Sequence, residues 1–409
     1  MLSVCEQINY PIAQPSAEMV CYARMQTILY FHHGDDYASR LRLEGINAFA
    51  RTLDWNVQCY EELVSARTLK TLREFWHPVG AILCPNNRRE EFDASLFSPD
   101  STVLLDCFPP DGLETFASII TDSFPATENV ARELLAAKCR SYGFVPWHTT
   151  RIWSENRRHN LSRILAGHGI RMHEFAPSEE GLNARRLQEE LIPWLRDLPK
   201  PCGIMAANDR IGENVIRACQ LADIGIPFDC VVVGVDDDAN VCENTSPTLS
   251  SVGLDFRSSG YRAGELLYEL VSGRLPDRPI ESVPPLSLTR RSSSRVFLQT
   301  DRHALRVSDL IRARACSGLQ AREALALYPC SRRLAEIRFR QATGHSVLDE
   351  IRSVRIEHAK KLLANPYTRL DTIAEQCGYE SDTTFRRIFK EETGLTLREY
   401  QAELRRSRT

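Results

Sequence analysis

The sequence contains no run of about 20 apolar residues, which is the length that a membrane-spanning helix needs. Its first residues show neither a basic start nor an apolar stretch, so we expect no secretory signal. The 13 cysteines are odd in number and no two of them have C-x-x-C spacing, which argues against a disulfide framework. We therefore expect a cytoplasmic protein whose thiols act as small apolar side chains.

Motifs of common enzyme sites are missing as well. The chain has no P-loop, no G-x-G-x-x-G, no G-x-S-x-G and no H-E-x-x-H. His32 and His33 are adjacent in the sequence, whereas two metal-binding histidines on one helix are spaced i, i+4. We predict no catalytic residue, no metal site and no cofactor.

Length and charge distribution indicate that the chain has several parts. A chain of 409 residues is too long for one compact core. Residues 301–409 contain 21 Lys and Arg against 15 Asp and Glu, whereas the rest of the chain contains 30 against 39. A basic C-terminal part joined to an acidic body favours a polyanion as the partner of that part alone.

The acidic body alternates short apolar runs with amphipathic helical patterns. This alternation predicts parallel sheets covered by helices on both faces, and about 260 residues indicate two lobes. The predicted strands cover 27–31, 80–84, 101–106, 117–120, 203–205 and 231–235. The predicted parts are an N-terminal extension over 1–24, the α/β body over 25–286, a linker rich in Pro, Ser and Arg over 287–303, and an all-α domain over 304–409.

The all-α domain carries two units of helix, turn and capped helix. In the second unit a short amphipathic helix ends at Gly378, a residue that can adopt the positive φ that stops a helix. Ser381 and Asp382 then supply the cap of a helix over 383–392. This arrangement presents a recognition helix to the DNA major groove. Its candidate DNA contacts are Ser381, Thr383, Thr384, Arg386 and Arg387.

The first unit repeats this pattern with Ser331 as the cap of a helix that runs to about residue 341. We expect either Leu334 or Ala335, together with Ile337 and Phe339, on the packed side of that helix. Candidate DNA contacts are Arg332, Arg333, Glu336 and Arg340, residue types that bind base edges and phosphates. A helix over 348–363 joins the units and would hold the recognition helices one DNA turn apart, roughly 34 Å.

The residues of both units resemble the AraC/XylS family of bacterial regulators over 305–403. The resemblance is carried by S-R-R-L-A-E-I-R-F, A-K-K-L-L, I-A-E-Q-C-G-Y and F-R-R-I-F-K-E-E-T-G-L-T. Leu397, where the family usually has Pro, and Ala335, where it usually has Leu, depart from the pattern at packing positions. The resemblance implies a regulator that binds double-stranded operator DNA, usually as an activator, with RNA polymerase as a further partner. An unrelated helical bundle with a basic surface is the alternative.

Polar side chains gather at the predicted strand ends of the body, where open α/β sheets bind their ligands. Asp106 ends a predicted strand, and Asp122, Asn208 and Asp236 each follow one, although each also fits a simple helix cap. Together, carboxylates and an amide suit a ligand with many hydroxyl groups. The rival interpretation is a sugar-modifying enzyme with Asp236 and Asp237 as its acid/base pair, although adjacent carboxylates usually point apart.

The body also looks like the sugar-sensing domain of the LacI/GalR family, which is similar to periplasmic sugar-binding proteins. The motifs are G-I-M-A-A-N-D-R-I-G, V-V-V-G-V-D-D, S-P-T-L-S-S-V and G-Y-R-A-G-E-L-L, so the likeness is strong over 203–273 and weaker over 25–200. It implies ligand contacts at Asp106, Asp122, Arg157 (or its neighbour Arg158), Asn208 and Asp236. Candidate rings for stacking on a sugar are Tyr37, Phe108 and Trp153.

Taken together, the sequence predicts a two-lobed α/β sensor that resembles periplasmic binding proteins, followed by an all-α domain with two helix-turn-helix units. We expect a homodimer in which a sugar bound between the lobes sets the positions of two DNA-binding modules. The order of the two parts resembles regulators that respond to xylose, which implies D-xylose as the effector and leaves other pentoses or oligosaccharides open. Such a regulator would act in the cytoplasm, on the nucleoid.

Overall fold

The computed structural model describes residues 26–32, 36–61, 65–84, 96–106, 115–147, 152–178, 183–274, 280–295, 301–363 and 368–406. Within these ranges, no helix combines the length and the apolar character that a membrane crossing requires. The described chain divides into two compact units. The first consists mainly of the residues before 126 together with 254–286, and the second contains most of 126–253 and everything from 287 onward.

The strands are β1 (Thr27–His32), β2 (Asn56–Glu61), β3 (Gly80–Leu83), β4 (Thr102–Leu105), β5 (Ala117–Thr121), β6 (Ser141–Val145), β7 (Met172–Glu174), β8 (Cys202–Ala206), β9 (Cys230–Asp236), β10 (Ser250–Gly253), β11 (Ile280–Val283) and β12 (Leu288–Thr289). The helices of the body are α1 (Tyr37–Ala50), α2 (Ala66–Trp76), α3 (Ser123–Ala136), α4 (Ile152–Gly167), α5 (Ala184–Asp197), α6 (Asp209–Leu221), α7 (Ala239–Cys242) and α8 (Phe256–Val271). Those of the C-terminal part are α9 (Arg302–Arg314), α10 (Ala321–Leu325), α11 (Arg332–Thr343), α12 (Val347–Leu363), α13 (Ile373–Gln376), α14 (Asp382–Thr393) and α15 (Leu397–Arg406).

The first unit is built on a parallel sheet in the order β11-β5-β4-β3-β1-β2. Alternate residues of β1 point to opposite faces, and both faces are covered, so nearly the whole strand is buried. Helices α1 and α8 pack closely on one face. Their backbones touch at Gly45 and Gly260, where an added Cβ would lie 2.0 Å from the Arg257 carbonyl oxygen and 2.1 Å from the Arg42 carbonyl oxygen, respectively. Only glycine allows this approach.

The second unit contains a sheet in the order β12-β10-β9-β8-β6-β7, parallel except for the antiparallel pair β10 and β12. The central strands β8 and β9 are almost completely buried, as expected for a sheet with helices on both faces. The two lobes and the parallel sheets predicted from the sequence are confirmed. Part of the predicted linker is built into this unit, because β12 pairs with β10 and residues 291–294 are buried.

The C-terminal part consists of helices α9 to α15 and forms two small cores. The first joins residues between Ala304 and Ile351, and the second joins residues between Ile356 and Leu397. Both cores receive side chains from the long helix α12, because Ile351 and Ile356 lie on it within a turn and a half of one another. The predicted all-α domain with a helix shared by two units is therefore confirmed.

Candidate functional site

An ion pair lies at the C-terminal edge of the second sheet. Asp236 is the last residue of β9, and its Oδ1 lies 3.5 Å from Nη2 of Arg157, which reaches it from α4. Arg157 is buried, and its Nη1 donates a hydrogen bond to the carbonyl oxygen of Ala207. Because β8 and β9 are neighbours in the sheet, Arg157 spans the ends of both strands. This edge is where open α/β sheets bind ligands.

Asn208 stands at the same edge, directly after the carbonyl that Arg157 contacts. Its Oδ1 accepts a hydrogen bond of 3.1 Å from the backbone N–H of Ile211, so Asn208 caps α6. The structure thus brings Arg157, Asn208 and Asp236 to one strand edge, as the sequence predicted. The neighbouring Arg158 instead pairs with Glu155 and Glu174, so of these two arginines it is Arg157 that reaches the strand ends.

Asp209, a strand-end residue with no role predicted from the sequence, holds this edge in place. Its side chain is almost fully buried and accepts hydrogen bonds from the Ser251 hydroxyl (2.5 Å) and the Asp238 backbone N–H (2.7 Å). Burial and the nearby charge of Asp236 raise the pKa of Asp209 well above its ordinary value. The carboxylate fits only because residue 234 is glycine, since a Cβ there would lie 2.2 Å from Asp209 Oδ1. The glycine inside the apolar V-V-V-G-V run was the available signal.

The three consecutive aspartates that begin at the last residue of β9 have different partners. Asp236 faces Arg157, whereas Asp237 accepts a 2.7 Å hydrogen bond from the Thr289 hydroxyl and pairs at 2.7 Å with buried Arg291. Asp238 caps α7 through the Asn240 backbone N–H, 3.0 Å away. Asp236 and Asp237 therefore have separate surroundings, which is unfavourable for two carboxylates acting on one bond.

Asp237 also meets the C-terminal helices, which belong to the same compact unit. Its Oδ2 lies 3.5 Å from Nζ of Lys361 near the end of α12. At the start of α12, Glu350 pairs with Arg295 of the predicted linker and with His345. Although burial alone would raise the pKa of Glu350, the hydrogen bond from His345 and the charge of Arg295 lower it to about 2. Asp237, just after β9, and Arg295 of the predicted linker therefore contact opposite ends of α12.

A hydroxyl-rich contact joins helix α9 to the residues beside β10 and β12. Asp309 on α9 accepts hydrogen bonds from the hydroxyl groups of Thr248 (3.0 Å) and Ser292. Thr248 lies just before β10, and Ser292 belongs to the buried segment after β12. Buried side-chain bonds of this kind hold two elements in one relative position, because a broken bond would leave a buried polar group unsatisfied.

The remaining predicted ligand contacts lie in the first unit. Asp106, which follows β4, accepts a 3.1 Å hydrogen bond from the Thr121 backbone N–H and pairs at 2.5 Å with the buried Arg42. Asp122 accepts a 2.9 Å hydrogen bond from the Phe124 backbone N–H at the start of α3. Arg42 was missed in the sequence, although it lies four residues before Ile46 on the buried face of α1.

Two of the three rings predicted to stack on a sugar lie among the described residues. Tyr37 begins α1 and packs edge to face on Phe256, with ring centroids 6.3 Å apart, and its side chain is half-buried. Trp153 near the start of α4 is also half-buried. Phe108 lies outside the described residues.

The two helix-turn-helix units correspond residue by residue, at an offset of 50 positions. Ser331 caps α11 by accepting from the Leu334 backbone N–H, and Ser381 caps α14 by accepting from the Thr384 backbone N–H. Both helices end at a glycine with positive φ, 85° at Gly344 and 75° at Gly394. The shared caps give both recognition helices the same length and the same start, so equivalent positions can be compared directly.

One predicted packing position on α11 is wrong. Ala335, Phe339 and Ala342 form the buried stripe, whereas Ile337 is 44% exposed and Leu334 is 41% exposed. The helical period explains this difference, because each residue turns the helix by about 100° and Ile337 lies about 200° round from Ala335. Of the two packing alternatives left open at residues 334 and 335, the structure selects Ala335.

Most candidate DNA contacts lie on the outward faces of the two helices. The exposed ones are Arg332, Arg333, Arg340, Ser381, Thr383, Thr384, Arg386 and Arg387. Glu336 is half-buried and accepts a 3.3 Å hydrogen bond from the Val347 backbone N–H, which places its carboxylate at the start of α12. Arg386 and Arg387 each form a 2.6 Å ion pair along α14, with Asp382 and Glu391 respectively. Such exposed pairs contribute little and can open for a phosphate or a base.

Comparison with known proteins finds a match in the body and another in the C-terminal part of the chain. Residues 131–294 match the family described as a periplasmic binding protein-like domain, and residues 326–403 match a helix-turn-helix domain. A xylose operon regulatory protein of Haemophilus influenzae is 28% identical over 296 residues, which cover 70% of this chain and 75% of the relative. The protein of the same name from Escherichia coli K12 is 26% identical over 288 residues, 69% of this chain and 73% of the relative.

Solved structures are similar in fold to much of this chain. The structure described as xylose-binding transcription activator xylR has a TM-score of 0.58 and 22% sequence identity, and the alignment covers 93% of this chain and 99% of that chain. The lac repressor dimer bound to operator aligns over 68% of this chain and 96% of that chain, with a TM-score of 0.56 and 17% identity. The chain thus combines a periplasmic binding protein-like domain with a helix-turn-helix domain, and it is a DNA-binding transcription regulator homologous to the xylose operon regulatory proteins.

Proposed function

We propose that this regulator binds D-xylose, or a closely related sugar, and that the sugar controls how the helical part engages operator DNA. The observation that carries the proposal is the Arg157–Asp236 pair beside Asn208 at the edge of the second sheet. The names of the homologous regulators support xylose as the ligand. We propose the same role for Asp106, Asp122 and Tyr37 of the first unit.

The chemistry of the pair suits neighbouring hydroxyl groups. A carboxylate accepts hydrogen bonds from two hydroxyls, while a guanidinium donates to the oxygens of the same groups. The 3.5 Å separation of Arg157 and Asp236 exceeds the roughly 2.7–2.9 Å of a tight charge-assisted hydrogen bond, so the two groups are not locked together and a sugar hydroxyl beside them can bond to both. Burial of Arg157 strengthens such bonds because the surroundings have a low dielectric constant.

The route from sugar to DNA passes through the next residue. Asp237 follows Asp236 directly and is held by Arg291 and by Lys361 of α12. A sugar that pulls Asp236 and Arg157 together rotates the backbone at the end of β9. This rotation moves Asp237 and changes its ion pair with Lys361 of α12. Sugar can shift the equilibrium only through different affinity for the two arrangements.

The finer functional assignments are part of the same proposal. We propose that the protein acts as a homodimeric activator in the cytoplasm, on the nucleoid, with RNA polymerase as a partner at the promoter. The two recognition helices of each copy would read successive major-groove segments, with Arg332, Arg333 and Arg340 in the first and residues 381–387 in the second. The domain boundaries at 24, 286 and 303 belong to this proposal too.

A thermal-shift screen of the full chain tests the ligand. D-xylose, L-arabinose, D-ribose and D-glucose would each be titrated against wild type and Asp236→Ala. A ligand present at 100 times its Kd stabilises by about 2.7 kcal/mol, so D-xylose should raise the Tm of the wild type and leave that of the variant unchanged. A rise of equal size in both proteins, or no rise with any pentose, would contradict the proposed site.

A further inference from the structure

The first recognition helix presents a large apolar residue where the second presents a cation. Because Ser331 corresponds to Ser381 and Gly344 to Gly394, Ile337 of α11 corresponds to Arg387 of α14. Both side chains lie opposite the buried stripe of their helix, and both are exposed. Arg387 is a predicted DNA contact, so Ile337 stands at the centre of the face that would enter the major groove.

The neighbours of Ile337 identify what this face would contact. Arg333 lies four residues before it and Arg340 three residues after it, so both are on the same side of the helix, and both are exposed. Leu334, 41% exposed, extends the apolar surface on one flank. A surface that pairs an apolar centre with flanking cations is complementary to a groove lined by phosphates.

Among the base edges of the major groove, only thymine offers an apolar group, its C5 methyl. An isoleucine can neither donate nor accept a hydrogen bond, so against the polar edge of another base it would leave a donor or acceptor without a partner. We infer that Ile337, with Leu334 beside it, is a specificity-determining residue that reads thymine methyl groups in the segment contacted by the first helix-turn-helix unit. This inference rests on the proposed DNA-binding function.

The second unit offers a contrast within the same chain. At the positions equivalent to Arg333 and Leu334 it carries Thr383 and Thr384, and at the position of Ile337 it carries Arg387. These side chains donate or accept hydrogen bonds, and an arginine suits the O6 and N7 atoms of guanine. The two halves of one binding segment should therefore differ in base preference, with thymine contacts in the first half and hydrogen-bonded base contacts in the second.

The experiment uses a duplex selected from a random library by the full-length protein. In that duplex each thymine is replaced in turn by deoxyuridine, which removes the C5 methyl and keeps every hydrogen-bonding group. Binding is measured by fluorescence anisotropy for wild type, Ile337→Ala and, as a matched control, Leu348→Ala, which removes an exposed leucine of α12 outside the recognition helix. A random-sequence duplex reports non-specific affinity.

We expect one or two thymines at which deoxyuridine weakens wild-type binding about fourfold, as the loss of roughly one buried methyl group implies. Ile337→Ala should weaken binding to the selected duplex by at least as much and should be insensitive to deoxyuridine at those positions. Leu348→Ala should behave like wild type, and no variant should change affinity for the random duplex by a similar factor.

Three outcomes would overturn the inference, and each is distinct from failure of DNA recognition itself. Uniform tolerance of deoxyuridine in a duplex that wild type selects and binds tightly would exclude a methyl contact. Persistence of the deoxyuridine effect in Ile337→Ala would assign it to another residue. Unchanged DNA affinity of Ile337→Ala together with lost transcription activation would make the apolar face a protein-binding surface instead. If no sequence is enriched at all, the proposed DNA function fails first.

Discussion

Three arginines of the α/β body are buried against fixed partners, whereas arginines on the recognition helices are exposed to solvent. In the body, Arg42, Arg157 and Arg291 are buried and each contacts an aspartate at the end of a strand. On α11 and α14, arginines such as Arg333 and Arg387 are exposed. A buried cation needs a fixed partner because its desolvation is costly, whereas an exposed cation keeps its water and can exchange it for phosphate. The same residue type is therefore preorganised for a small ligand in one region and adaptable for DNA in the other.

The largest effect should follow from disturbing the buried pair. Asp236→Ala removes the partner of buried Arg157, so it should lower sugar affinity by at least 100-fold, since truncating one member of a buried charge pair costs about 2–5 kcal/mol. Operator affinity without sugar should change less than twofold, as measured by anisotropy. Glu213→Ala, at an exposed ion pair on α6, is the matched control and should bind sugar normally. Loss of DNA binding along with sugar binding would mean that Asp236 is structural.

Exposed cations should give a smaller effect that is confined to DNA. Arg333→Ala and Arg387→Ala should each weaken binding to the selected duplex by about 1–3 kcal/mol if they contact bases. Sugar affinity measured by calorimetry should stay at the wild-type value. An equal loss on random-sequence DNA would identify the contact as a phosphate contact, and it would lower the slope of affinity against salt concentration.

The serine caps of the two units should contribute equally to the free energy of unfolding. Ser331→Ala and Ser381→Ala each remove the hydroxyl that accepts a backbone N–H in the first turn, so each should lower the free energy of unfolding by about 1 kcal/mol. Chemical denaturation of the full chain, followed by circular dichroism, measures this loss. A clearly larger cost in one unit would show that the two helix-turn-helix units differ in stability as well as in outward residues.

The smallest effect is expected at the contact between the body and α12. Lys361 is more than half exposed, so its pair with Asp237 contributes no more than about 1 kcal/mol. Lys361→Gln should leave sugar affinity and stability nearly unchanged but reduce the sugar-induced change in operator affinity severalfold. Lys360→Gln removes the neighbouring lysine, which pairs with Glu357 on α12 itself, and should respond to sugar like wild type. An unaltered response in Lys361→Gln would exclude this route.

How far the sequence predicted the structure depended on whether the signal was local. The apolar run of β1 and the serine caps of α11 and α14 were found because burial of a strand and capping of a helix are decided by adjacent residues. The edge strand β2 was missed, since its residues N-V-Q-C-Y-E are mostly half-exposed and lack an apolar run.

Long-range contacts were beyond the reach of the sequence. Nothing local links Asp237 to Lys361, 124 positions later, or shows that Arg42 is buried against Asp106. Ile337 was assigned to the packed side because periodicity gives the width of an apolar stripe but not which of several apolar residues lies at its centre. The strand-end residues were found, while Asp209, which supports them, needed the structure.

Sugar binding in the body is expected to change DNA binding by the helical part. The most direct measurement is the anisotropy of a labelled selected duplex titrated with full-length protein, with and without saturating D-xylose. We expect D-xylose to change the operator Kd by about 5- to 150-fold, the range of a coupling free energy of 1–3 kcal/mol, and to leave the Kd of Asp236→Ala unchanged. A wild-type protein that binds D-xylose, as shown by its raised Tm, yet has the same operator Kd with and without the sugar would contradict the account.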